Sequence, residues 1–286
     1  RRSQAYLAPY ARLFGWELKI LFFRILLFLI YPAPCMDYNL PLNISLSTWV
    51  LASTAALVLG ISKAGIKGIA IINVTLMALA FGARESTGLL VPLLVVGDIF
   101  AVVYYNRHAR WSYIRRFLPW MLLGLLIGVF IGNGLPEKAF KLVMVVVILG
   151  SVLMMYWWDR RKSKAVPTHW AFGGFIGVLA GITTMIGNLA GAFSNIYFLA
   201  MRLPKNEFIG TAAWLFLIIN VVKLPFHIYV WETISTESLL INLRLVPAIL
   251  LGLLVGVRLV KLLREGMYRK MILLLTALGA VMILFR

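Results

Sequence analysis

Long apolar runs, interrupted by short polar or basic segments, fill most of this 286-residue sequence. A membrane hydrocarbon core about 30 Å thick needs ~20 apolar residues per helical span, so the chain has room for about eight to ten segments. Hydrophobic residues make up 62% and charged residues 13% of the chain, against roughly 45–50% and 25% in soluble domains. A water-soluble globular fold is therefore excluded. The fuller runs lie at about 88–105, 117–133, 139–158, 208–230, 244–262 and 268–285.

Two further apolar runs are each interrupted near the middle. The first separates residues 44–59 from 69–81, and the second separates 170–182 from a short piece that ends at Met201. Neither half of either run comfortably reaches the length of a span, so each predicts a hairpin of two short helices that meet at a polar break. The first break contains Gly60, Ser62, Lys63, Gly65, Lys67 and Gly68. The second contains Thr183, Thr184, Gly187, Asn188 and Gly191.

Basic residues give the chain an orientation. The segments 107–116, 160–164 and 258–270 are rich in Lys and Arg, whereas 231–243 has two glutamates and no basic residue, and 82–87 is balanced. By the positive-inside rule the first three face the cytoplasm and the other two face outward. The net charge of +18 is thus interpreted as membrane topology, and no nucleic-acid partner is expected.

The two halves of the sequence repeat each other. LLGLLIGV at 122–129 matches LLGLLVGV at 250–257, an offset of 128 residues. Because the first loops of the two halves are predicted on opposite sides of the membrane, the repeats have inverted orientation, and inverted repeats with broken helices are typical of transporters. Upstream pairs, at offsets of 121 to 122, are Trp49 with Trp170, Gly60 with Gly181, Ser62 with Thr183, Glu85 with Glu207, Gly88 with Gly210 and Asp98 with Asn220.

The predicted domain organisation follows from this duplication. Residues 1–43 form a basic and apolar extension, 44–158 the first transmembrane repeat, 159–169 a basic cytoplasmic linker and 170–286 the second repeat. Three interpretations of the first 35 residues stay open: a signal-like or anchoring helix, an interfacial amphipathic helix, or an upstream extension from a misassigned start. We favour a helix in these residues that contributes little to function.

The first break predicts an anion site. Lys63 and Lys67 are four residues apart, on one potential helix face, beside Gly65 and Gly68, which let backbone approach a ligand. If the second short helix begins here, its N-terminal N–H groups add to the two ammonium groups. The alternative is an aqueous loop in which both lysines are solvated.

Polar residues elsewhere in the apolar runs extend this hypothesis. Thr183, Thr184, Asn188 and Gly191 offer an uncharged polar surface at the second break, or satisfy backbone groups freed by it. Asp98, Asn220 and Lys223 support the site or couple it to protons. Asp98 would pair with Lys223 or with a lysine of the break, and a purely structural ion pair is the alternative. His227 is a weaker proton-relay candidate.

No enzyme motif accompanies these residues. The sequence has no nucleotide-binding G-x-x-x-x-G-K-[ST], no H-E-x-x-H and no G-x-S-x-G. Cys35 is the one cysteine, which leaves no internal disulfide and no cysteine cluster for a metal. Neither an enzyme, an ATP-driven pump, a cofactor nor a bound metal is expected.

The residues resemble the sulfite exporter TauE/SafE family, specifically members with a G-x-S-K-x-G element, here Gly60, Ser62, Lys63 and Gly65. The likeness covers about 45–285. The resemblance implies secondary transport of small anions, including sulfite and organosulfonates, across the bacterial inner membrane. The chain departs from the family pattern at Lys67, Asn73 and Asn188 and at Ala190–Phe193. Further matching residues are Pro92, Asp98, Tyr105, Trp111, Gly181, Thr183, Gly191, Tyr197, Arg202, Leu203, Phe208, Gly210, Thr211, Asn220, Lys223 and Pro225.

Together these observations predict an all-α polytopic membrane protein with two inverted repeats of about five helical segments. Its expected function is secondary transport, with export favoured, of a small anion, either sulfite or another organosulfur or organic anion. Its partners are the lipid bilayer and coupling protons or ions. A passive anion channel and a non-transporting accessory protein stay open as alternatives, as does the oligomeric state.

Overall fold

The computed structural model describes residues 44–66, 69–105, 108–140, 142–144, 146, 150, 153, 170–201 and 203–262. Within these ranges the chain is helical and has no strand, which confirms the predicted all-α class. The predictions for the extension 1–43, the linker 159–169 and the run 268–285 concern residues outside these ranges, as does most of the run 139–158.

Eight helices have defined bounds in this part of the chain. The first half contributes α1 (Leu46–Lys63), α2 (Ala70–Phe81), α3 (Ala83–Tyr105) and α4 (Trp111–Gly132). The second half contributes α5 (Trp170–Gly187), α6 (Ala190–Ala200), α7 (Lys205–Tyr229) and α8 (Thr236–Leu262).

Five of these helices, α1, α3, α4, α7 and α8, are long and apolar enough to cross a membrane. By contrast, α2 has 12 residues and α6 has 11. At 1.5 Å rise per residue each short helix reaches about 16–18 Å, roughly half of a hydrocarbon core. The predicted multi-pass membrane protein is thus supported by helix length and composition.

Several helix bounds differ from the sequence prediction. The first apolar run does not break at Gly60, because α1 continues through Gly60 and Ser62 to Lys63 and so reaches 18 residues. Glycine weakens a helix by only about 1 kcal/mol, which packing readily offsets. In the same way, α3 already begins at Ala83 and α8 at Thr236, so the two predicted outer loops are shorter than the sequence suggested.

Close helix packing explains the glycine at position 60. A Cβ atom on Gly60 would lie 2.2 Å from the carbonyl oxygen of Ile249, and one on Gly252 would lie 2.1 Å from that of Leu57. The backbones of α1 and α8 therefore touch directly at these glycines. Glycines spaced in this way are typical of tight helix pairs in membranes.

The repeat-related glycines make the same contact in the other pair of helices. A Cβ on Gly124 would lie 2.0 Å from the carbonyl oxygen of Val178, and one on Gly181 would lie 2.1 Å from that of Met121. Thus the first helix of each half packs against the fourth helix of the other, while the two third helices, α3 and α7, pack together. This reciprocal packing is compatible with the predicted inverted repeat.

Candidate functional site

The first break consists of the residues that follow Lys63, the last residue of α1. Gly65 adopts a φ of +127°, and a Cβ there would lie 2.8 Å from Cδ1 of Ile209. The backbone conformation therefore favours glycine, and a Cβ there would also need the Ile209 side chain to move. Two of the predicted site residues, Lys67 and Gly68, lie outside the described residues.

The second break contains fewer residues than the sequence predicted. Thr183 and Thr184 lie inside α5, which ends at Gly187, and Gly191 lies inside α6. Asn188 and Leu189 alone separate the two helices. Asn188 has a φ of +56°, a left-handed conformation that asparagine tolerates better than most residues, so the chain turns there without a glycine.

A cavity lies between the two breaks. The centre of a water molecule can occupy about 50 Å³ of it, which corresponds to roughly three or four waters. It brings together the ends of α1 and α5, the starts of α2 and α6, and parts of α3 and α7. Its polar lining residues are Ser62, Lys63, Asn73, Thr184, Asn188, Asn195 and Asn220, and Gly191 also lines it.

Asp98 pairs with a lysine of the break, which is one of the two arrangements expected from the sequence. The Nζ atom of Lys63 lies 2.7 Å from Oδ1 of Asp98, and Asn220 donates its amide to Oδ2 of Asp98 at 2.7 Å. The Asp98 side chain is 1% exposed. This buried trio joins α1, α3 and α7: Lys63 and Asn220 line the cavity, and Asp98 lies outside its lining.

Lys223 does not pair with Asp98. It is fully buried and donates a hydrogen bond to Oδ1 of Asn188, while Nδ2 of Asn188 donates to the backbone oxygen of Thr87 at 3.0 Å. Asn188 therefore connects the second break to both α7 and α3. Throughout the described ranges Lys223 has no carboxylate partner, so its ammonium charge, when present, is not compensated by an ion pair there.

The predicted site residues differ in whether they line the cavity. Ser62, Lys63, Thr184, Asn188, Gly191 and Asn220 line the cavity. Thr183 instead donates to the carbonyl oxygen of Ala180, and Gly65, Asp98 and Lys223 lie outside the lining. In α7, the weaker proton-relay candidate His227 is fully buried, with Nδ1 2.8 Å from Oγ1 of Thr233.

The site residues predicted from the sequence included neither Asn73, which was noted only as a departure from the family pattern, nor Asn195. Both line the cavity, on α2 and α6. An offset of 122 relates them, as it relates Asp98 to Asn220. Extending the repeat comparison to polar residues inside the short helices would have found this pair.

A second charged contact lies away from the cavity, near the segment predicted to face the cytoplasm. Arg110 precedes α4 and binds both carboxylate oxygens of Glu207 at the start of α7, at 2.6 and 2.8 Å. This hydrogen bonding raises the pKa of the Arg110 guanidinium. The backbone N–H of Arg110 also donates to Oγ1 of Thr211, so the start of α4 is held on α7 at three points.

Among the described residues, no group of three or more His, Cys, Asp or Glu side chains could hold a metal ion. The lining of the cavity is instead composed of one lysine, several amides and hydroxyls, and apolar side chains. Such groups offer hydrogen bonds and one positive charge to a small ligand.

A family model described as Sulfite exporter TauE/SafE matches residues 51–283. No curated protein and no solved structure matches the chain.

Proposed function

The chain belongs to the sulfite exporter TauE/SafE family, and we propose that it is a secondary transporter of a small anion in the bacterial inner membrane. The five long apolar helices in the described part of the chain fit a multi-pass membrane protein. The proposed site is the cavity between the two breaks. Sulfite or another organosulfur or organic anion is the proposed cargo, and export is the proposed direction.

The main support for this proposal is a cavity between the two breaks that is lined by Lys63 and has a second lysine, Lys223, bonded to its wall residue Asn188. Lys63 is compensated by Asp98 at 2.7 Å, and Lys223 adds a positive charge directly behind Asn188. Lys67, which lies outside the described residues, adds another positive charge to the first break in the sequence. Taking a charge out of water is costly unless an opposite charge is near, and an anion in the cavity would supply that charge to Lys223.

The groups of the cavity wall suit an oxyanion. An ammonium group has three N–H donors, and Asp98 accepts one of those of Lys63. Within the described residues no second hydrogen-bond acceptor for Lys63 is found, so a ligand in the cavity would accept from its other donors. Thr184 and Ser62 add hydroxyl groups to the wall.

The reciprocal packing of the two halves suggests how access would alternate. Movement of one half against the other would open the cavity first to one side and then to the opposite side, as in other inverted-repeat transporters. Asn188 would couple anion binding to movement of the helices, since it contacts Lys223 on α7 and Thr87 on α3. Asp98, Asn220 and Lys223 are the residues through which proton or ion coupling would act.

Counterflow in proteoliposomes tests the proposal. Vesicles with purified protein would be loaded with unlabelled sulfite, thiosulfate, sulfoacetate, sulfate or phosphate, and uptake of the labelled anion would be followed. A transporter gives saturable, exchange-stimulated uptake with at least one of them. Flux without saturation would support a channel, and the absence of flux with all of them would support an accessory protein.

A further inference from the structure

Most of the surface that faces the cavity is apolar, although polar residues also line it. Two of the apolar lining residues, Leu94 and Phe216, keep 8% and 6% of their surface accessible. A ligand in the cavity would therefore contact apolar surface on several sides. The apolar lining comes from both short helices, from α1, α3 and α7, and from the second break: Leu59, Ala70, Ile71, Leu94, Leu189, Ala190 and Phe216.

Charge enters the described part of this wall at one point. Lys63 is the only charged residue among the described lining residues, and its Nζ atom lies 5.3 Å from the centre of the Phe216 ring. Its partner Asp98 and the second lysine, Lys223, lie outside the lining. The anionic group of a ligand would thus lie beside Lys63, and apolar surface begins directly next to it.

Such a wall acts differently on charged oxygens and on alkyl groups. A charged oxygen that contacts apolar surface loses its hydration without compensation. An alkyl group is stabilised by the same contact, because apolar surface is removed from water. Ligand sites in proteins are commonly built in this way, with mainly apolar walls and a few polar groups that fix the orientation. Sulfate, which carries charge on all of its oxygens, would satisfy only those that face the polar residues.

We propose that this cavity selects a small organic anion that carries one short apolar group. Lys63 binds the anionic group, and the alkyl group lies against the apolar wall that includes Leu94 and Phe216. The proposal rests on the proposed function and specifies its substrate class: an organic anion in preference to an inorganic oxyanion such as sulfite, sulfate or phosphate. The apolar lining residues are then specificity-determining residues for transport.

A series of anions tests the proposal on the wild-type protein. Methanesulfonate, ethanesulfonate and butanesulfonate would be compared with sulfate, by calorimetry on the full-length protein in detergent and by inhibition of counterflow. Methanesulfonate has the tetrahedral shape of sulfate but a methyl group in place of one oxygen, and it should bind at least about tenfold more tightly. Ethanesulfonate should gain about a further fourfold, as expected for one more buried methylene. Butanesulfonate should bind no more tightly than ethanesulfonate, because the cavity has room for only about three or four waters.

Ala70→Leu tests whether the apolar group lies in this cavity. Ala70 on α2 is half-buried and lines the cavity, so a leucine there would occupy part of the space for an alkyl group, and the gain from methanesulfonate to ethanesulfonate should disappear. Ala80→Leu is the matched control, because Ala80 is half-buried on the same helix but does not line the cavity. This variant should keep the wild-type gain. The wild-type series requires no variant, so it remains decisive even if a leucine variant fails to fold.

Several results would overturn the proposal but leave anion transport intact. These are sulfate binding as tightly as methanesulfonate, no gain with ethanesulfonate, or a gain that continues through butanesulfonate, which would indicate a site larger than this cavity. A gain that survives in folded Ala70→Leu would likewise place the apolar group elsewhere. If no anion binds and none is exchanged, the proposed function itself fails, and the substrate class fails with it.

Discussion

The ammonium group of Lys63, at the end of α1, lies 2.7 Å from a carboxylate oxygen of Asp98 in the middle of α3. Both side chains are at least nine-tenths buried, and Asn220 of α7 hydrogen-bonds the second carboxylate oxygen. The same lysine lines the candidate site. Its structural role and its proposed binding role can therefore be separated by experiment.

Lys63→Met should lower both stability and transport. Removing one partner of a buried ion pair costs about 3–5 kcal/mol, because the other charge is left without compensation. Adding Asp98→Asn removes that charge and should restore most of the thermal stability in detergent. Transport should stay absent in the double variant. Recovery of transport together with stability would mean that Lys63 serves only to neutralise Asp98.

Asn188→Asp should separate folding from anion binding. The carboxylate can still adopt the left-handed conformation at this position. It loses the donor to the Thr87 carbonyl but gains an ion pair with Lys223, so the melting temperature should fall less than in a variant that loses both contacts. It places a negative charge on the cavity wall, and anion affinity should fall at least about tenfold, which corresponds to about 1.4 kcal/mol. Calorimetry on the purified variant measures this, and unchanged affinity would exclude Asn188 from the site.

Asn188→Gly provides the comparison for that variant. Glycine keeps the backbone conformation but removes the acceptor of Lys223 and the donor to Thr87. Leaving buried polar groups unsatisfied costs about 1–3 kcal/mol for each. A larger loss of thermal stability is therefore expected with glycine than with aspartate, because aspartate keeps the acceptor of Lys223.

Gly60→Ala and Gly181→Ala should each destabilise the helix pair that contains them. The added Cβ would lie about 2 Å from a backbone oxygen of the neighbouring helix, and overpacking of this kind costs about 1–3 kcal/mol. Gly150→Ala is a suitable control, because a Cβ there meets nothing within 4 Å. Thermal unfolding should show two unstable variants and one that resembles wild type.

Exchanging the charges of Arg110 and Glu207 tests whether their contact matters for transport. Arg110→Glu alone places two carboxylates together and should slow exchange. The double variant Arg110→Glu/Glu207→Arg restores an opposite-charge pair and should recover the rate. Because the pair is solvent-accessible, the defect of the single variant should weaken as salt is raised. Counterflow at two ionic strengths measures both effects.

The sequence predicted the fold class because hydrophobic length is a strong constraint in a membrane. The positions of the helix ends were less predictable. Gly60, Ser62 and Lys63 looked like a break in the sequence, but they continue α1 because Gly60 packs against the backbone of α8. That contact is between distant parts of the chain, and no local pattern reveals it.

Several residues that the sequence singled out lie together around one cavity, although their role there stays a prediction. The repeat and the buried charges indicated Lys63, Thr184, Asn188 and Asn220, which all line the cavity. Sequence alone left the partner of Asp98 open, since Lys63 and Lys223 were equally suitable. The choice depends on how α1, α3 and α7 cross, and the structure pairs Asp98 with Lys63 while Lys223 donates to Asn188.

The central claim is that the cavity between the two breaks carries the transported anion. The most direct measurement is labelled-anion counterflow by wild type and by Lys63→Met/Asp98→Asn, reconstituted at equal density and matched for thermal stability. The account predicts saturable exchange in wild type and none in the variant. Equal exchange by both proteins would contradict it and would place the transport path elsewhere in the chain.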